Sequence, residues 1–280
     1  MEIPYPFIIA EVGSNWRQYN DNDENNLRCA IEHIEQAARC GVQAVKFQLF
    51  THAELYGVRG TVKQNRYNLP RKWLPTLKIE CEKNKVNFMC TAFSPEGIEV
   101  VDEFVDVHKI ASAEALSSEF LSSIFKTKKP AFISLGAMTE KNLLWLLHET
   151  FEYDVAFLQC VAAYPAKLED YNLRFIERLK GTNIPFGISD HTKHFPAFVA
   201  FGAAILGAQI FEKHFSIDFP TTPDSAHSIG VTELRYYVRD INMAIKIRGD
   251  GKKKIVEDEV YMTKLWRRNR APFTWGVRKK

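Results

Sequence analysis

The chain has 280 residues, 46% of them hydrophobic and 25% charged, which excludes a disordered or fibrous class and suits one large α/β barrel or two ordinary domains. Charge is uneven: residues 248–280 carry 11 Lys/Arg against 4 Asp/Glu, while the other 247 residues carry 26 against 30. The body is therefore no polyanion binder, and the basic tail reads as a solvated terminal segment with no nucleic-acid partner expected. No apolar run approaches the roughly 20 residues that span a bilayer, and Met1–Tyr5 lacks a signal-peptide pattern. Cys29, Cys40, Cys81, Cys90 and Cys160 are scattered and odd in number, as free thiols of a cytoplasmic protein would be.

Along the chain, short apolar runs alternate with amphipathic stretches. A strand is expected over Pro6–Val12, ending in Glu11 with Ser14 and Asn15 beyond, followed by a helix over Asn25–Cys40. The second strand, Val42–Gln48, ends in Lys46 and Gln48, and a helix follows over Arg71–Lys85. Val86–Ala92 ends in Thr91 and leads to a helix over Glu96–Phe104; Val105–Ala111 carries Lys109, with Ser112 and Glu114 after it. Ala131–Leu135 carries Ser134 before Gly136, and a helix covers Glu140–Phe151. Val155–Cys160 carries Gln159 near its end with Tyr164 beyond, Phe186–Ser189 leads into Asp190 and His191, and Ala208–Phe215 holds Glu212, Lys213 and His214. Gly41, Pro130, Pro185 and Gly207 mark returns to strand.

Eight alternating β and α units imply a parallel sheet, and eight within about 250 residues is the size of a closed (β/α)8 TIM barrel. An open doubly wound sheet is the alternative. The barrel is expected over residues 1–248, with 249–280 a short basic appendage and not a domain. No G-x-G-x-x-G or P-loop pattern follows a strand, so nucleotide binding has no support.

Barrel active sites form at the carboxyl ends of the strands. Lysines and hydroxyls there hold phosphate and carboxylate oxygens, and paired imidazoles with a carboxylate hold a divalent metal. The set describes an anionic substrate beside a metal. Cys90 and Cys160 read as small core residues, His33 and Cys40 as structural, and His108 and His148 receive no role.

These residues are familiar as a group. Ile9-Ala10-Glu11-Val12-Gly13, Ala44-Val45-Lys46-Phe47-Gln48, Lys109 to Glu114, Tyr164-Pro165, Ser189 to Thr192 and Glu212 to Phe215 occur in one order and spacing. From about Phe7 to Ser228 the chain resembles the sialic acid synthase (N-acetylneuraminate synthase) family. The resemblance implies condensation of phosphoenolpyruvate with an open-chain N-acylated amino sugar, giving a nonulosonic acid and phosphate. By motif match His191 and His214 would hold the metal, with Mn²⁺ usual and Mg²⁺ or Co²⁺ as substitutes. Lys46, Thr91, Lys109, Ser112, Ser134 and Ser189 would surround phosphoenolpyruvate. Glu11, Gln48, Glu114, Tyr164 and Asp224 would face the sugar and the attacking water, with Glu11 or Glu114 orienting that water. Lys46, Lys109, Glu11 and Glu114 are the expected catalytic set, and a homodimer is the family's habit.

Three departures stand out. The family usually continues into an antifreeze-like (SAF) lid domain; here a separate lid protein, the basic tail or a different acceptor is expected instead. The usual Pro-Asp-His is Pro223-Asp224-Ser225, and His227 beyond it reads as a solvent-facing loop histidine. The usual Ser-Thr-Gly is Ser134-Leu135-Gly136, one hydroxyl fewer. Rival readings are a 3-deoxy-ulosonate phosphate synthase, for which Arg59, Arg66 and Arg71 would bind the acceptor phosphate, and a catalytically silent sugar-phosphate-binding barrel.

Overall fold

The computed structural model describes residues 4–19, 22–58, 61, 66–193, 197–218 and 222–269. Eight strands form a closed, all-parallel barrel in sequence order: β1 Phe7–Gly13, β2 Ala44–Leu49, β3 Asn87–Ala92, β4 His108–Ile110, β5 Ala131–Ser134, β6 Val155–Cys160, β7 Phe186–Asp190 and β8 Ile210–His214. The alternation read from the sequence is thus a TIM barrel and not an open sheet. β4 is shorter than expected, because the amide of Val105 bonds back to Val101 at the end of the preceding helix.

Local chemistry sets the helices between strands. The helix Asp23–Arg39 starts where the Asn22 side chain accepts from the Asn25 amide, with Asp23 and Glu24 in its first turn. His33 on this helix is fully buried: its Nδ1 donates to the Cys29 carbonyl and its Nε2 accepts from the Ile217 amide. It is structural, as expected, and burial pushes its pKa down to about 4.

Side chains alternate across each strand, so one parity faces the barrel axis and the other faces the helices. Phe7, Ile9, Ala44, Met89, Phe132, Ala156, Leu158 and Ile210 pack together as the interior plug. The opposite parity, including Ile8, Ala10, Val45, Phe47, Phe88, Ile133, Phe157, Ile188 and Phe211, joins the core beneath the helices. The plug closes the lower barrel, and the inward residues one or two steps further along each strand form the floor of the mouth.

Chain contacts divide the protein into Met1–Ile247 and Arg248–Lys280. The second unit contains a 3-10 turn, Glu257–Glu259, and a helix, Val260–Asn269. No helix among the described residues is long and apolar enough to cross a membrane.

Candidate active site

Above the plug, the inward parity delivers Glu11, Lys46, Thr91, Lys109, Ser134, Cys160, Ser189 and Glu212 to one ring. Register accounts for the neighbours: Glu11 lies opposite both Lys46 and His214, Thr91 opposite Lys109, and Ser189 opposite Glu212. All of these polar side chains are buried. Lys46 ion-pairs with Glu11 and donates to Thr91 Oγ1 at 3.2 Å. Lys109 donates to Ser134 Oγ at 2.7 Å and to the Ile110 carbonyl at 3.2 Å. Gln48 donates to Glu11 Oε1 at 2.7 Å.

Glu212 stands between the two lysines, 3.7 Å from Lys46 Nζ and 3.9 Å from Lys109 Nζ, and accepts from Ser189 Oγ at 2.7 Å. Burial would raise its pKa, but Lys109 and Lys46 outweigh burial and hold it down at about 2. Glu11 goes the other way: burial pushes it up to about 7 against the pull of Lys46. Lys109 is lowered by burial, which the neighbouring carboxylate only partly offsets. The two ammonium groups face Glu11 and Glu212, and because burial lifts the Glu11 pKa to about 7, a proton on Glu11 would leave the ring one positive charge in excess and able to take an anion.

Ser112, just past β4, accepts from the Gly136 amide at 3.0 Å and lies 3.5 Å from Cys160 Sγ. A Cβ on Gly136 would sit 2.8 Å from Ser112 Oγ and 2.9 Å from Cys160 Sγ, so only glycine lets the β5 end approach this closely. Cys160 therefore lines the mouth, whereas Cys90 lies on the outward parity as a core residue. The reading of both as core residues is corrected for Cys160. Glu114 starts a 3-10 turn after β4; it is half-buried, its pKa is raised by burial, and its Oε2 has no hydrogen-bond partner among the described residues.

Three other strand-end groups point away from the mouth. Asp190 and Lys213 belong to the outward parity and pair at 3.0 Å with no solvent exposure. Lys213 also donates to the Thr192 carbonyl and hydroxyl, and Asp190 accepts from the Thr192 amide and hydroxyl. Gln159 donates to the Tyr171 carbonyl. Grouping them with the reactive set was an error of facing, since adjacent residues of one strand point to opposite sides.

The imidazoles gather at the rim. The rings of His191 and His214 are 5.6 Å apart, on the same side as the lysine ring. His191 Nδ1 is 2.6 Å from the Val161 carbonyl, an acceptor only, so this nitrogen carries the proton. Burial pushes the His191 pKa down to about 4, so the ring is neutral and Nε2 presents a lone pair. Ser189 Oγ, 3.1 Å from that nitrogen, donates its hydrogen to Glu212. This is how a protein fixes the tautomer of an imidazole that binds a cation. Tyr171 holds the backbone here, accepting from the His191 amide at 2.5 Å and donating to the Ser189 carbonyl at 3.1 Å. Sequence reading missed Tyr171, and nothing in its helical context signals it.

Asp224 sits 3.5 Å from His214 Nδ1, nearer the imidazoles than its assignment to the sugar implies. The Ser14 amide and hydroxyl donate to its Oδ2 at 2.7 and 2.5 Å. That approach depends on Gly13, which has φ +53° at an irregularity in the β1–β2 ladder; a Cβ there would lie 2.6 Å from Asp224 Oδ2. Tyr164 covers the rim, 4.3 Å from the His191 ring and 4.9 Å from His227. His227 is 3% exposed and packs edge-on against His214 at 4.3 Å, so it is not the solvent-facing residue expected from its loop position. A separate cleft of ≈ 560 Å³ beside the β5 and β6 connections touches the ring through Cys160 but contains none of its lysines or histidines.

The fold and this mouth define a (β/α)8 barrel with an anion cradle of buried lysines beneath a cluster of imidazoles. Residues 33–253 match the NeuB family, and the chain belongs to that family of enzymes. It is 30% identical to the pseudaminic acid synthase of Campylobacter jejuni, over 93% of this chain and 81% of that one. It is 29% identical to the N,N'-diacetyllegionaminic acid synthase of the same species, over 90% and 80% of the two chains. The crystal structure of a sialic acid synthetase from Leptospira borgpetersenii superposes with a TM-score of 0.82 at 26% identity, covering 99% of this chain and 93% of that one.

Proposed function

We propose that the mouth condenses phosphoenolpyruvate with an open-chain N-acylated amino sugar, yielding a nonulosonic acid and phosphate. The observation that carries this reading is the pair of buried lysines, Lys46 and Lys109, bracketing Glu212 directly below the imidazoles. Lysine ammonium groups with Thr91, Ser112, Ser134 and Ser189 match the carboxylate and phosphate of a small trianion. A displaced Glu11–Lys46 pairing would free Lys46 for that anion, with Glu11 taking up a proton at the pKa its burial gives it.

The residues at the rim fit a divalent cation: His191 Nε2 offers a lone pair, and His214 Nδ1 has no hydrogen-bond partner among the described residues. Mn²⁺, with Mg²⁺ or Co²⁺ as substitutes, would supply Lewis acidity to the acceptor's aldehyde oxygen. Carbon 3 of phosphoenolpyruvate attacks the aldehyde carbon with the C2=C3 π pair, forming the new C–C bond and leaving positive charge at carbon 2. The C=O π bond breaks to an alkoxide that takes up a proton to become the hydroxyl. Water adds to carbon 2, and the C–O bond to phosphate then breaks to give the ketone. Glu114, whose Oε2 has no hydrogen-bond partner among the described residues, receives the water's proton; Glu11, protonated once Lys46 turns to the anion and bonded to Gln48, is not free to take it. Lys46 and Lys109 hold the phosphate in place until it leaves. Gln48, Tyr164 and Asp224 line the side from which the sugar enters.

Of the candidate acceptors, N-acetylmannosamine or a diacetamido trideoxyhexose of the pseudaminic or legionaminic routes, the proposal takes the second, on similarity to synthases of those two acids. The phosphorylated-aldose alternative lacks support in the second connection: Arg66 and Arg71 are exposed, Arg66 donating to Tyr67, and Arg59 lies outside the described residues. Function as a homodimer belongs to the same reading. A panel of acyl amino sugars and phosphorylated aldoses, assayed for phosphate release from phosphoenolpyruvate, tests it. Release with a diacetamido sugar supports the proposal; release only with a phosphorylated aldose, or with no acceptor at all, rejects it.

A further inference from the structure

We infer that His227 is a direct metal ligand in this chain, forming with His214 and Asp224 a two-histidine, one-carboxylate triad. The inference rests on the metal-dependent reading above and adds a residue that the strand-end pattern does not supply. One nitrogen from each histidine and one oxygen of Asp224 lie within 4.8 Å of one another. Asp224 Oδ1 is 3.4 Å from His227 Nε2 and 3.5 Å from His214 Nδ1. Two ligand atoms each about 2.1 Å from one cation, at tetrahedral to octahedral angles, are about 3.0–3.4 Å apart. The two Asp224 distances are close to the upper end of that range and longer than a well-formed hydrogen bond, so a small inward shift of the side chains would let them share an ion.

Hydrogen-bond accounting points the same way. Neither ring nitrogen of His227, nor Nδ1 of His214, has a hydrogen-bond partner among the described residues, although both side chains are buried. Buried imidazole nitrogens without partners are uncommon, and a shared cation would satisfy several at once. Asp224 commits Oδ2 to Ser14 and leaves Oδ1 for the ion.

The loop is built to hold this placement. The His227 amide donates to the Asp224 carbonyl at 3.3 Å, Ser228 Oγ donates to the same carbonyl at 2.7 Å, and Asn15 Nδ2 donates to Ser228 Oγ at 2.8 Å. Thr222 Oγ1 donates to Asn15 Oδ1 at 2.6 Å. His227 is thus fixed between two anchors to Asn15, just past the end of β1, and the His191 ring lies 5.6 Å from that of His214.

The test is titration of the metal-stripped full chain with Mn²⁺ and Co²⁺ by calorimetry, together with the visible absorption of the Co²⁺ form. H227A and H227F are expected to bind at least about tenfold more weakly than wild type, with a changed cobalt spectrum. Circular dichroism and melting without metal establish that each variant is folded; if one is not, the other and the more conservative H227N carry the comparison. Equal affinity and an unchanged cobalt spectrum in the folded variants would overturn the ligand role of His227 and leave the metal reading intact. Absence of binding by wild type would overturn both.

Discussion

Glu212 and Lys213 are neighbours in sequence and equally withdrawn from water, yet they belong to different chemistries. Glu212 faces the barrel axis, where two lysines approach no nearer than 3.7 Å and the remaining space suits an anion. Lys213 faces the helices, where Asp190 and Thr192 surround its ammonium group. Inside, Lys46 is shared by Glu11 and Glu212 while Lys109 has Glu212 no nearer than 3.9 Å; outside, Lys213 meets Asp190 at 3.0 Å. Burial of a charge therefore does not distinguish a working residue from a structural one, whereas the face of the strand it occupies does.

The sharpest way to exploit this contrast is to remove one lysine from each side. Lys109→Met should lower phosphate release by about 10³-fold while shifting the unfolding midpoint little, because Glu212 keeps Lys46 and Ser189. Steady-state kinetics beside a thermal melt reads both effects. Lys213→Met should do the reverse, costing about 3–5 kcal/mol of stability because Asp190 is left buried and unpaired. Denaturant unfolding measures that loss, and metal affinity of the folded fraction should match wild type.

A third prediction uses His33, which is fully buried and is not among the residues proposed to meet substrate or metal. Its folded pKa of about 4 lies below its ordinary 6.5. The unfolded chain binds the extra proton first, so this group's contribution is full above pH 6.5 and is lost as pH falls through 4. By linkage the loss amounts to about 3 kcal/mol. Unfolding curves between pH 7 and 4 should show it, and His33→Gln should flatten that part of the profile. The smallest effect is expected at Gly136→Ala, where the added methyl must displace Ser112 or Cys160. A stability cost of about 1–3 kcal/mol and a several-fold rise in KM for phosphoenolpyruvate should follow, with kcat less affected.

The barrel itself was legible because each strand is an apolar run of about the right length and glycine or proline stands just before several of them. The polar strand ends were legible as a set, and Lys46, Lys109, Thr91, Ser134, Ser189, His191 and His214 do converge. What the sequence did not disclose was which side each residue faces. Strands buried on both faces lose the polar–apolar alternation that would report it, so Lys213 and Asp190 looked equivalent to Glu212 and Ser189. Anchoring the parity on Glu11 and counting in twos would have separated them. His227 was hidden for a different reason: its burial depends on a loop tied to Ser14 and Asn15, more than 200 residues away in the chain. Tyr171 was equally invisible, since its hydroxyl meets β7 only after the barrel closes.

The central claim is that the inward ring and the imidazoles above it act as one metal-dependent condensing site. The most direct measurement is phosphate release from phosphoenolpyruvate by the chelator-treated chain, with a diacetamido amino sugar, before and after adding Mn²⁺. The account predicts release only when both sugar and cation are present, with product mass equal to the two substrates joined, plus water, minus phosphate. Undiminished turnover after complete removal of metal, or release independent of the sugar, would contradict it.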